Sequence, residues 1–276
     1  MAGRLAYVDG RGGTWALDSP DAALVGTGAG LRGWEWSRQL QRGQLVDVRR
    51  DAREVDVKVH ADAATLDRME PAMWRDVADG TPGTLVLDGT WRQAAQAVSC
   101  SCDGAYMGMA DATVTLALLD GCWHNAVTTE FRPRGAGGEE GGGLDAPYDL
   151  PADLGPTRGS GTVDAGDAAC PVRLVIYGPV ASPSLTIAHN LYAFDVDVPD
   201  GARLEVDATG ARKTIHLVGR DGQRTDAFGV GRRGGGEGSG GYCFERVPAG
   251  EWPVQWDGSF GVDVTLWHQR EGLPWT

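Results

Sequence analysis

The sequence predicts a mainly β protein made of two β bodies in series: a first domain over residues 1–134, a junction over 135–168 and a β-sandwich over 169–276. Three observations carry this. Eight Asp-Gly pairs, beginning at 9, 79, 88, 103, 120, 200, 221 and 257, separate short apolar runs with turn chemistry. One stretch alone, residues 62–79, places apolar side chains at helical spacing. Residues 135–143 are nearly all glycine and glutamate, a composition that cannot pack a core and marks a boundary.

Taken in order, Leu5 to Val8 and Thr14 to Leu17 flank Asp9-Gly10-Arg11-Gly12-Gly13 and predict an opening hairpin. Gly26 to Gly33 is a glycine-rich connection, Trp34-Glu35-Trp36 an alternating aromatic strand, and Leu40 to Gly43 a loop. Leu45 to His60 predicts one long bent strand or two, with Arg49-Arg50-Asp51 as the turn. Within it Val55, Val57 and Val59 alternate with Glu54, Asp56 and Lys58, the period of a strand with one wet face. Asp62 is placed to cap a helix carrying Leu66, Met69, Met73, Trp74 and Val77 inward. Pro71 predicts a kink or a break, and Asp79-Gly80 the stop. Leu85 to Leu87, Asp88-Gly89 and Trp91 to Ala97 form a two-residue hairpin signal. Val98 to Cys102 and Thr113 to Leu119 read as two strands about Asp103-Gly104, closed by Asp120-Gly121-Cys122-Trp123.

Beyond the junction, residues 144–168 carry Pro147, Pro151 and Pro156 and read as an irregular arm. Eight strand-like runs follow, over 172–177, 184–188, 192–198, 203–207, 214–218, 242–247, 251–256 and 261–269, which suits a sandwich. Gly231 to Gly241 reads as a flexible loop at its tip.

Composition narrows function. The formal net charge is −13, and lysine occurs only as Lys58 and Lys213, so no basic stripe exists to neutralise a phosphate backbone. The five cysteines, Cys100, Cys102, Cys122, Cys170 and Cys243, have no regular spacing and suit reduced thiols, not a secreted disulfide frame. Met1 to Asp9 lacks an apolar h-region, and no run approaches the roughly 18 residues of a membrane span. The expectation is a soluble protein without membrane insertion.

The chemical motifs are weak. Gly28-Ala29-Gly30-Leu31-Arg32-Gly33 spells a dinucleotide fingerprint, but that loop works only between a strand and a helix N-terminus, and a strand is expected next. Cys100-Ser101-Cys102 puts two sulfurs on one face of a strand without the second ligand pair that zinc needs, and reads as two small buried or half-buried residues. His60, His124, His189, His216 and His268 are scattered singly, and no serine sits in a nucleophile elbow. No catalytic, cofactor-binding or metal-ligating residue is assigned, and no cofactor is expected. Among ten tryptophans, Trp34, Trp91, Trp252 and Trp256 read as core or inter-subunit anchors. Trp256 or Trp267 is the candidate ring for sugar stacking, which keeps a carbohydrate-binding module as the alternative reading.

The order of these elements resembles the distal tail protein (Dit) family of siphophages. The resemblance rests on the glycine-rich lead, the single helix, the Gly83-Thr84-Leu85-Val86-Leu87-Asp88-Gly89 hairpin and the Asp120-Gly121-Cys122-Trp123 closure. In the second half it rests on Tyr192 to Pro199 with Gly201, Arg203 to Val206, Lys213 to Leu217, Phe244 to Pro248 with Gly250, Trp256 to Phe260, Asp263 to Leu266 and Arg270 to Trp275. It implies a tube-like β-sandwich or split barrel with one α-helix, followed by a galectin-like β-sandwich. It also implies a structural virion protein of the baseplate, not an enzyme: a homohexameric ring joining the tail tube to the tail-tip hub, assembled in the bacterial host cytoplasm. The implied partners are further copies of itself, the tail tube protein, the tape-measure protein and a tail-associated hub protein, with DNA only passing through the lumen. His189-Asn190-Leu191 does not match the His-x-Asn-x-Arg sugar motif of galectins, so sugar binding is not carried over.

Overall fold

The computed structural model describes residues 5–19, 22–25, 28–133, 159–210 and 212–273. Residues 135–158 of the expected junction (135–168) lie outside them. The chain forms two compact units, one of residues 1–125 with 269–276 and one of residues 126–268. The fold is mainly β, as expected.

In the first unit the strands are β1 (Leu5–Val8), β2 (Thr14–Ala16), β3 (Ala22–Val25), β4 (Ser37–Gln41), β5 (Gln44–Arg49), β6 (Arg53–Asp62), β7 (Gly83–Leu87), β8 (Trp91–Tyr106) and β9 (Met109–Leu118). Strand β10 (Trp123–Phe131) begins here. The helices are α1 (Ala29–Arg32) and α2 (Ala63–Asp79). The main sheet runs β2-β1-β7-β8-β9-β6-β3, every pair antiparallel. Val55, Val57 and Val59 of β6 are buried beside Val114, Leu116 and Leu118 of β9, while Glu54, Asp56 and Lys58 point to solvent, so the period-two pattern was a true guide. Asp88 and Gly89, both at positive φ, make the tight turn between β7 and β8.

Helix α2 is capped as expected: Thr65 N donates to Asp62 Oδ2 at 3.1 Å, and Gly80 closes it in the left-handed region at φ 65°. Of the kink or break expected at Pro71, the break does not occur: the helix is continuous over 63–79. The carbonyl that Pro71 leaves without a donor belongs to Asp67, a solvent-exposed residue where water can serve instead. The buried face is Met69, Ala72, Met73 and Asp76, whereas Trp74 and Val77 face outward.

Three further expectations change in this unit. Residues 33–36 are irregular, not a strand. Leu40 lies in β4, which turns at Arg42 (φ 50°) and Gly43 (φ 79°) into β5, so a hairpin replaces the expected loop. The β8–β9 turn is Met107-Gly108, at φ 50° and 82°; Asp103-Gly104 instead marks a register shift between Cys102 and Gly104. An Asp-Gly pair within a ladder can be absorbed as a bulge, and methionine carries no turn signal, which is why the strands run longer than the sequence implied.

In the second unit the strands are β11 (Gly159–Asp164), β12 (Val172–Tyr177), β13 (Val180–Ala181), β14 (Ser184–Ile187), β15 (Asn190–Ala193), β16 (Asp197–Val198), β17 (Arg203–Asp207), β18 (Thr214–Val218), β19 (Arg224–Asp226), β20 (Glu251–Trp256) and β21 (Val262–Arg270). One sheet runs β19-β18-β17-β12-β21 and continues into residues 126–131 of β10; the other runs β11-β20-β14-β15. Leu174, Ile176, Leu204, Val206 and Val264 of the first meet Leu185, Ile187, Val254 and Trp256 of the second in one buried cluster, the inside of a sandwich. Gly159–Asp164 is a sandwich strand paired with β20, where an irregular arm was expected. Residues 242–247 are not a strand. The buried Asn190 side chain brackets Tyr242, donating to its carbonyl and accepting from its N–H, and so replaces a ladder. The glycine loop at 231–241 is tied down: Arg232 N donates to Ala193 O, Leu191 N to Gly240 O and Cys243 N to Arg232 O.

Candidate assembly surface

The first unit leaves one strand edge open. Strand β8 pairs with β7 over 91–95 on one side and with β9 from Ala95 to Tyr106 on the other. Beyond Ala95 the β7 side has no strand partner among the described residues. In the inner half Gln93, Ala95 and Ala97 are buried; from Val98 to Tyr106 every residue of β8 is exposed. An edge of this length, with its backbone N–H and C=O groups free to pair, is a template for another chain unless something covers it. Its tip is apolar: Tyr106 and Met107 are 79% and 83% exposed. Trp74 on α2 is 57% exposed, and Leu40 in the β4–β5 hairpin 74%.

The scaffold under this surface is held by buried polar contacts. Asp76, on the inner face of α2, accepts from Tyr7 Oη at 2.6 Å and from Gly10 N at 3.0 Å, which ties the helix to the opening hairpin. Burial and that carboxylate both raise the Tyr7 phenol above its ordinary range, so it stays a donor. Gly83 passes so close to Tyr7 that a Cβ there would lie 2.4 Å from the hydroxyl oxygen. Glycine is required by contact. None of this was visible as a motif, because a lone inward acid on a helix interrupts the apolar pattern without announcing its partner.

The closing segment Asp120–Trp123 forms a second lock. Asp120 Oδ2 accepts from Ala94 N at 2.7 Å and lies 3.0 Å from His124 Nε2. His124 Nδ1 is 4.0 Å from Cys122 Sγ, and Arg50 Nη1 is 3.8 Å from the same sulfur. Burial lowers the His124 pKa, but the bonds to Asp120 and Cys122 outweigh it and bring it up to about 9. Asp120 is correspondingly held below the usual carboxylate range by its bonds to His124 and Ala94, against the opposing effect of burial. Although cysteine, histidine and aspartate stand in line, Cys122 is 3% exposed, so its sulfur offers no face to a substrate. Arg50 also donates to Glu271 Oε1 at 3.0 Å and Gln269 Oε1 at 3.1 Å, while Leu273 N donates to Leu31 O. These bonds fasten residues 269–273 into the first unit.

The other singled-out residues fall as follows. Gly28 is left-handed (φ 60°) and lies between β3, which pairs antiparallel with β6, and α1, which is only four residues long and gives way to irregular chain; the parallel βαβ unit of a dinucleotide loop is not formed among the described residues. Cys100 and Cys102 are exposed on the open half of β8, a correction to the buried or half-buried reading. His60 Nδ1 lies 2.7 Å from Asp111, and the His189 ring meets Trp252 edge-on at 5.3 Å. Trp256 is buried, donates to Phe260 O at 2.9 Å and packs edge-on against Phe131, so it is a core anchor and offers no open ring to a sugar. Trp34 is exposed in an irregular segment and anchors no strand.

No family model matches the sequence, and no curated protein matches it. Solved structures do match the fold. A chain of the phage P2 baseplate in its activated conformation with calcium aligns at a TM-score of 0.58 and 9% identity, over 99% of this chain and 100% of that one. The strontium form of the same baseplate gives 0.57 and 8%, over 99% and 100%. SPP1 Dit (gp 19.1), described as a paradigm of the hub adsorption apparatus in phages infecting Gram-positive bacteria, gives 0.57 and 9%, over 98% and 100%. The chain is Dit-like in fold along its whole length.

Proposed function

We propose that this chain is a structural protein of a phage tail end: a distal tail adaptor that closes into a homohexameric ring between the tail tube and the tail-tip or baseplate hub. The observation that carries the reading is the open outer half of β8, with its apolar tip, on a fold shared end to end with baseplate and Dit chains. A ring supplies each such edge with a neighbour and leaves none uncovered. The partners are further copies of this chain, the tail tube protein above, the tape-measure protein through the bore and a tail-associated hub protein below. DNA would only pass through the lumen, and a net charge of −13 suits a path along which DNA slides without sticking. The site is the virion, with assembly in the host cytoplasm, and the role involves no bond-making chemistry.

Negative-stain microscopy of the purified protein tests this. Six-fold rings with a central hole are expected. Isolated compact particles at every concentration would overturn the proposal.

A further inference from the structure

We infer that the second unit carries a binding site for a small phosphorylated sugar, in the cavity at the end of β18. The cavity measures about 580 Å³, within the range of small-molecule sites, and is lined by Arg212, Lys213, Thr214, His216, Asp226 and Phe228. Three nitrogen-bearing side chains thus converge with one carboxylate, and Asp226 Oδ1 is already engaged by Phe228 N at 2.9 Å.

What marks this cluster is that unpaired cations line one cavity. Four arginines of the unit are consumed by acids: Arg173, Arg203 and Arg224 surround Glu205, and Arg232 clasps Asp195. Arg212 and Lys213 form no ion pair among the described residues. Lys213 instead leans on aromatic rings, with Nζ 5.0 Å from the centroid of Tyr242 and 5.8 Å from that of Phe244. Arg233 is braced nearby in the same way, its guanidinium carbon 4.2 Å from the centroid of Phe228, and it donates to Phe228 O at 2.9 Å. In a chain with 38 acids and 25 Lys and Arg, two cations without ion pairs, Arg212 and the ring-braced Lys213, outnumber the single carboxylate Asp226 in this lining and dispose it to take an anion.

The shape and charge choose among anions. A polyanion would meet far more repulsion from the net charge of −13 beyond the cavity than a single phosphate group would. Phe228 is 43% exposed but already stacked on Phe244 and covered by Arg233, so it serves as an apolar wall and not as a free face for a nucleobase. In this proposal a saccharide ring lies beside that wall, with Thr214 and the second Asp226 oxygen in the same lining to meet its hydroxyls. The assignment is independent of ring formation.

Isothermal titration of the full-length protein with glucose 1-phosphate, inorganic phosphate, glucose and a decameric glutamate peptide tests it. The expected result is saturable binding of glucose 1-phosphate at least about tenfold tighter than phosphate or glucose, lowered about tenfold or more by Lys213→Ala or Arg212→Ala. Circular dichroism confirms that both variants are folded, and Arg220→Ala, at an exposed turn, leaves binding unchanged. No saturation up to about 10 mM, equal binding to the variants, or tighter binding of the peptide would overturn the assignment.

Discussion

The two units differ in what they do with their large apolar side chains. Of the fifteen that are exposed among the described residues, eleven belong to the first unit and four to the second. The second unit closes two sheets over one core and spends its charged residues on internal clusters such as Glu205 with its three arginines. The first builds a sheet of similar quality and then extends β8 beyond β7, so that its outer half has β9 on one side and, among the described residues, no strand on the other. That contrast teaches that exposure here gathers on particular elements, chiefly the two hairpins and one helix face. A surface of this kind is what a subunit needs if copies of itself are to cover it.

The contrast can be broken at several points. The largest effect is expected from Tyr106→Ser with Met107→Ser: self-association by sedimentation should be lost, while stability of the single chain changes by no more than about 0.5 kcal/mol. A loss of folding by that variant would mean that the tip belongs to the core. Tyr192→Ala, in the second unit, should do the opposite and cost about 3–5 kcal/mol in denaturant unfolding, because a fully buried ring leaves a cavity. Asp76→Ala should cost about 1–3 kcal/mol, since the buried Tyr7 hydroxyl would be left without its acceptor and the part-buried Gly10 N–H would lose its own.

Smaller effects sharpen the picture within the first unit. The folded pKa of His124 is raised from the ordinary imidazole value of 6.5 to about 9. Its charged pairing with Asp120 therefore stabilises fully below about pH 6.5 and is lost as pH rises through about 9, for roughly 1–3 kcal/mol in all. Unfolding midpoints measured from pH 6 to 10 should fall across that window, and His124→Gln should flatten the fall. Asp62→Ala, which removes the cap of α2, should cost about 1 kcal/mol.

Much of the fold was legible where local chemistry acts alone. The alternation of β6, the cap at Asp62, the stop at Gly80 and the Asp88-Gly89 turn all follow from neighbours in sequence. Reading failed where a distant group decided. Asp103-Gly104 looks like a turn but is absorbed as a register shift because β9 continues to pair past it. Trp74 and Val77 looked like core because their spacing is helical, yet the face bearing Met69, Met73 and Asp76 packs inward. The return of residues 269–273 depends on Arg50, more than two hundred positions away. The open edge was unreadable for a related reason: a sequence shows that a strand exists but not which of its sides lacks a partner.

Mass photometry of the purified chain tests the central claim most directly. A dominant species at six times the 29.2 kDa of one chain is predicted, collapsing to one chain in the Tyr106→Ser, Met107→Ser variant. A single-chain mass for the unaltered protein at every concentration, or an unchanged assembly in the variant, would contradict it.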